Sequence, residues 1–149
     1  MTDPKSIDPT SIDLTSIDKD RLTRAAAAVR QSAYAPHSKF RVGAALQDEL
    51  GRVHIGCNVE NASFPQGSCA EANAIGAMVS AGGRRIVAIA VAGGRDSIET
   101  CTPCGGCRQA ISEFADENTR IFLQAEDGFD TYGIEELLPH SFRLESQLP

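Results

Sequence analysis

No apolar stretch in this chain approaches the roughly 18–20 residues that cross a bilayer, and residues 1–20 are polar and acidic with no basic flank. A membrane span and an export leader are therefore not expected, and a cytoplasmic location is. Positive charge is also short. Lys and Arg number 14 against 20 Asp and Glu, a formal net charge of −6, and the basic residues are scattered along the sequence. Nucleic-acid affinity rests on neutralising phosphates, so this balance argues against DNA or RNA and for a small, mobile substrate. Cysteine is sparse and odd in number: Cys57, Cys69, Cys101, Cys104 and Cys107. Five thiols do not make a disulfide framework for a domain that can build its own core. Three of them fall within residues 101–107, which points to metal binding or reactivity.

What is present suits one globular domain, because 149 residues with 42% hydrophobic content suffice for one core and not comfortably for two. Residues 1–18 carry Ser-Ile-Asp three times with too little apolar content to order themselves, and are expected to form a flexible tail. Residues 19–149 are expected to be the domain. Leu22, Ala25, Ala26, Val29 and Ala33 recur at helical spacing over 19–33, ended by Tyr34-Ala35-Pro36. Strands are expected at 40–46 and 52–57, as a hairpin, and at 86–92 and 120–125; further helices are expected at 70–78, 104–115 and 133–138. Strand alternating with helix implies a layered α/β sheet.

The chemistry concentrates in two segments. Pro103-Cys104-Gly105-Gly106-Cys107 is a Cys-x-x-Cys pair at the start of an expected helix, where positions three apart share one face and both sulfurs can reach one ion. Cys69 opens another expected helix. The N–H groups exposed at such ends favour negative charge and predict lowered thiol pKa values at both. Three thiolates leave the fourth tetrahedral position of a zinc ion open to water, the mark of a catalytic rather than a closed structural site. Glu71 lies two residues past Cys69, a separation that sets its carboxylate beside the metal shell, where a proton shuttle belongs. Ligand-x-Glu followed by Pro-Cys-x-x-Cys is the signature of zinc nucleobase deaminases in its all-Cys form.

On Cys69-Ala70-Glu71, Thr102-Pro103-Cys104-Gly105-Gly106-Cys107-Arg108-Gln109, Phe40-Arg41-Val42-Gly43-Ala44-Ala45 and Asn58-Val59-Glu60-Asn61-Ala62-Ser63, the chain resembles the small homotetrameric zinc-dependent cytidine deaminases, over residues 19–142. The resemblance implies an α/β/α sandwich with a five-stranded mixed sheet. It implies one Zn²⁺ per subunit held by Cys69, Cys104 and Cys107, a pyrimidine nucleoside as substrate, and a homotetramer whose subunits complete one another's pockets. Glu71 would carry protons between water and the cytosine ring, giving uridine and ammonia in pyrimidine salvage. Asn58 and Glu60 would hold the ribose hydroxyls, Phe40 would line the nucleoside pocket, and groups around Ala70 would read the pyrimidine edge.

The sequence departs from that pattern at Ala72, where relatives place an arginine that offsets the surplus charge of three thiolates; the two helix N-termini and Arg108 are the candidate substitutes. His37 stands where relatives have tyrosine, and Arg143-Leu144 replaces a Gly-Pro. Other readings of the same residues remain open. The cysteines could form a structural Cys₄ site completed by Cys57 or Cys101, or a redox pair. Asn58, Glu60 and Asn61 could be turn residues, and Phe40 core. At the level of function, the alternatives are a deaminase of a cytosine-bearing antibiotic such as blasticidin S and a non-catalytic zinc-stabilised module.

Overall fold

The computed structural model describes residues 16–144. Most of the expected tail, residues 1–15, lies outside the described residues, but its last three are tied to the domain. The Ser16 carbonyl accepts from Gln47 Nε2 at 3.0 Å, and the Asp18 carboxylate accepts from the Arg21 N–H at 2.9 Å. Asp18 is thus the N-cap of helix α1 (Lys19–Arg30), satisfying one of the donors that every helix start leaves bare. The helix stops at Arg30, short of the expected Ala33, because Tyr34 is recruited elsewhere. Its N–H donates to Asn58 O and its carbonyl accepts from the Glu60 N–H, a bridge to the segment after the second strand.

Five strands follow: β1 (Arg41–Asp48), β2 (Val53–Cys57), β3 (Ile86–Gly94), β4 (Arg120–Ala125) and β5 (Gly128–Tyr132). Helix α2 (Ala70–Ser80) comes between β2 and β3, α3 (Gly105–Phe114) between β3 and β4, and α4 (Ile134–Leu137) after β5. The sheet order is β2-β1-β3-β4-β5, antiparallel throughout except for the parallel pair β3 and β4, which needs α3 as its crossover. The sheet is therefore five-stranded and mixed, as expected. Strand β5 is the one that local patterning did not anticipate. It is a polar edge strand, with Asp130 and Thr131 exposed, and so lacks the apolar alternation by which strands are read.

Alternation along the central strands divides the core into two layers. On one face Leu46, Ile89, Val91, Ile121 and Leu123 pack against Ala74, Ile75 and Met78 of α2 and Ile111 of α3. On the other, Ala45, Ala88, Ala90, Ala92 and Phe122 meet Leu22 and Ala26 of α1. The sandwich is α1, sheet, then α2 with α3 and α4. Two glycines set how closely the layers approach. A Cβ on Gly43 would lie 2.1 Å from Ala26 O of α1, and one on Gly56 would lie 2.4 Å from Ala74 N and 2.5 Å from Ala70 O of α2. Both helices therefore rest directly on strand backbone.

The β1–β2 turn is locked by Asp48, which is fully buried. Its Oδ1 accepts from the Leu50 and Arg52 N–H groups, and its Oδ2 pairs with Arg52 Nε and His54 Nε2, each at 2.8 Å. Burial pushes the Asp48 carboxyl up, but the hydrogen bonds from His54 and Arg52 outweigh it and hold the group below the ordinary carboxylate value. No helix among the described residues is long and apolar enough to cross a membrane.

Candidate active site

Two helix starts on the same side of the sheet build the site. Cys69 is the N-cap residue of α2, Cys104 that of α3, and Cys107 lies in the first turn of α3. Their three Sγ atoms all lie within 4.8 Å of one another, with Cys69 and Cys104 at 3.9 Å. Among the described residues, no fourth Cys, His, Asp or Glu joins that set. Cys57 and Cys101, the two candidates for completing a closed Cys₄ shell, stay outside it. Cys101 is buried, and desolvation pushes its thiol up to about 12, so it behaves as a small apolar residue.

The prediction that helix ends would lower the thiol pKa holds for only one of the helix-cap cysteines. Cys104 is lowered, chiefly because its sulfur accepts the Cys107 N–H at 3.4 Å. Cys69 and Cys107 are raised instead, first by desolvation and then by the negative charge of their neighbours, Glu71 included. One helix N-terminus does not outweigh three sulfurs and a carboxylate crowded together. That crowding is itself the test of fit for a metal. Three soft donors converge at the mutual distances of one tetrahedral ion, and they form an arrangement that repels itself unless a cation is present. The donor set suits Zn²⁺, one per subunit, with a vacant fourth position.

Glu71, in the first turn of α2, is 4% exposed. Desolvation raises its carboxyl above the ordinary value, against the pull of its own backbone N–H and a hydrogen bond with the Cys107 thiol. A carboxyl held in this way, touching the cluster yet outside the three-sulfur set, is suited to take up and release a proton.

A cavity of about 180 Å³ opens above these groups, lined by Phe40, Asn58, Ala70 and Glu71 together with Cys69, Cys101 and Cys104. Phe40 is both of the things the sequence allowed: half-buried against the core and a wall of this cavity. Asn58, just past the end of β2, is fixed by the start of the neighbouring strand β1, since Oδ1 accepts from the Val42 N–H at 2.8 Å and Nδ2 donates to Phe40 O at 2.9 Å. That leaves one amide proton for a ligand. Glu60 is not brought into the same cavity. It is half-buried, accepts from the His37 and Ser38 N–H groups at 2.9 and 3.1 Å, and lines a separate hollow with His37, Asn61 and Phe64. These bonds, the Ser38 N–H first, hold its carboxyl below the usual range.

One residue of the site went unremarked in the sequence, and another, Thr102, was noted only as part of the motif around Cys104. Asn73 donates to Cys57 O at 2.7 Å and to Ser68 Oγ at 3.0 Å, tying the start of α2 to the end of β2 and so fixing Cys69 and Glu71. Its place four positions after a helix-opening Cys is the only signal it gave. Thr102 joins the cavity wall. Ala72 is exposed and places no cation at the cluster. Arg108, the candidate substitute, spends its guanidinium on carbonyls, Pro103 O and Leu137 O, each at 2.9 Å. It braces the Cys-x-x-Cys turn rather than reaching the thiols by a hydrogen bond.

A layered α/β/α fold with three converged cysteine sulfurs and a buried acid at two helix starts defines a zinc-dependent hydrolase that activates water. The comparisons give the family. The model described as the cytidine and deoxycytidylate deaminase zinc-binding region matches residues 16–123. The chain is 40% identical over 125 residues to the cytidine deaminase of Halalkalibacterium halodurans, covering 83% of this chain and 93% of that one. It is 39% identical over 123 residues to the cytidine deaminase of Mycobacterium tuberculosis, with 83% and 85% covered. The crystal structure of cytidine deaminase from Burkholderia pseudomallei superposes with a TM-score of 0.77 at 39% identity, over 85% of this chain and 100% of that one. The chain belongs to the cytidine and deoxycytidylate deaminase zinc-binding family.

Proposed function

We propose that this protein hydrolyses cytidine and deoxycytidine to the uridine nucleosides and ammonia, as part of pyrimidine salvage. The observation that carries the reading is the buried Glu71 beside three converged sulfurs with no fourth protein ligand among the described residues. Cys69, Cys104 and Cys107 would hold zinc, which when bound lowers the pKa of water to near 7. Glu71 does the proton work. Its raised pKa lets it accept a proton from water, deliver it to N3 of the cytosine ring and supply the departing amine with another. Phe40 walls the nucleoside in, Ala70 offers the backbone at the start of α2 to the pyrimidine edge, and Asn58 and Glu60 receive the ribose hydroxyls.

We take residues 19–149 as the catalytic domain, the cytoplasm as its location and a homotetramer as its working state. The hollow beside Glu60 and the 78% exposed Phe64 at its edge support a second subunit there. The antibiotic reading is not favoured, since the relatives above are cytidine deaminases over most of their length. The structural-zinc reading is not favoured because the sulfur set stops at three.

The test is Glu71→Gln, followed by loss of cytidine absorbance and by metal analysis. Turnover should fall by about 10²–10⁴-fold while zinc stays stoichiometric, because the carboxylate is not a ligand. Activity within ten-fold of the parent, or loss of the zinc, would refute the role.

A further inference from the structure

The scattered basic residues of the sequence do not stay scattered in the fold. Arg30 from the end of α1, Lys39 from just before β1, Arg41 from its first position, and Arg95 from the loop after β3 line one cleft of about 490 Å³, with Tyr34 on its wall and Asp96 as the one acid. In a chain of net charge −6 this is a concentrated positive field. Arg95 shares part of its charge with Glu99, at 3.6 Å. The side chains of Lys39 and Arg41 are exposed and have no ion pair or hydrogen bond among the described residues. Arg30 is buried, 4% exposed; one terminal nitrogen donates to the carbonyls of Gly94, Arg95 and Ser97, while its Nε has no partner. That guanidinium holds the Arg95 loop in place and leaves its charge unneutralised at the cleft.

The cleft and the zinc cavity are back to back. Phe40 lines the cavity, while its neighbours Lys39 and Arg41 line the cleft. The Arg95 guanidinium sits 5.4 Å from the centre of the Phe40 ring.

We propose that this cleft is a binding site for a small phosphate-bearing anion, separate from the nucleoside cavity. Forked guanidinium donors and a lysine converging from three segments match the several acceptor oxygens of a phosphate, and paired guanidinium–phosphate bonds are among the stronger polar contacts proteins make. Tyr34 supplies an aromatic face for whatever the phosphate is attached to.

The test is calorimetric titration of the zinc-loaded protein, held saturated with uridine so that the nucleoside cavity is occupied. Uridine 5′-monophosphate is one titrant and inorganic phosphate the other. At least one should bind at one site per chain, weaken as salt rises, and lose roughly ten-fold or more in affinity in Arg41→Glu, with a smaller loss in Arg41→Gln. Arg41 is exposed and unpartnered, so both variants should keep the parental melting temperature. Equal affinity for the two titrants would mean that free phosphate is the ligand. Tighter binding of the nucleotide would mean an ester, with its nucleoside against Tyr34. Binding of neither, displacement of uridine by the nucleotide, or unchanged affinity in Arg41→Glu would overturn the proposal.

Discussion

Gly56→Ala is a one-methyl change outside the cavity lining that should nevertheless disable the enzyme. The new Cβ would stand 2.4 Å from Ala74 N and 2.5 Å from Ala70 O, both backbone atoms of α2. Ordinary contact needs about 3.4 Å, and neither atom can rotate away, so α2 must lift from β2 by about 1 Å. Cys69 and Glu71 ride on the first turn of that helix, whereas Cys104 and Cys107 belong to α3 and stay put. The displacement therefore opens the sulfur triangle and moves the acid relative to the metal. A misplacement of that size costs on the order of 10²-fold in rate, and the overpacking itself about 1–3 kcal/mol of stability. The assays are kcat for cytidine, zinc content after dialysis against a weak chelator, and thermal unfolding. Gly76→Ala is the control, because a Cβ there meets nothing within 4 Å. If Gly56→Ala keeps kcat within three-fold and retains its metal like the parent, the claim that β2 positions the site through this contact is wrong.

Asp48→Ala should destabilise the fold by about 3 kcal/mol or more, lowering the melting temperature by roughly 6–12 °C, because Arg52 and His54 lose a fully buried partner. Since the Asp48 carboxyl is held below its ordinary value of 3.8, its contribution is present above that pH. It fades as pH falls through the lower folded value, so the variant and parent should converge in stability in strong acid; a constant gap down to pH 2 would refute the assignment. Ala72→Arg places a cation where the thiolate cluster has none from that position, and kcat should rise several-fold. An unchanged rate with an unchanged pH–rate profile would show that the helix ends already compensate.

The metal site was legible because its signal is local. Cys69, Glu71, Cys104 and Cys107 each sit at or near a helix start, and helix starts are visible in short sequence windows, so two windows sufficed to describe one centre. The thiol pKa values were not legible. They depend on how closely α2 and α3 bring their sulfurs together, which no single segment encodes. The same limit hid the cationic cleft, whose four residues span positions 30–95 and share no motif. Asp18 failed for another reason. It is the last acid of a Ser-Ile-Asp repeat, and repetition obscured the capping residue that the helix after it required. Asn58 and Glu60 were read as ligand contacts or as turn residues; their side chains in fact bind backbone first, which fits them to present what capacity remains.

The two faces of the sheet do not tolerate change equally. Toward α2 and α3 the contacts are Leu, Ile, Val and Met, which can exchange volume with one another and still fill the same space. Toward α1 they are mostly methyl groups and a bare strand backbone at Gly43, where nothing larger can be absorbed by a neighbour's rotation. Apart from Gly56, where α2 also rests on bare backbone, natural variation in this lineage should therefore accumulate on the side that carries the chemistry's scaffold, while the plain side, which only supports, stays frozen.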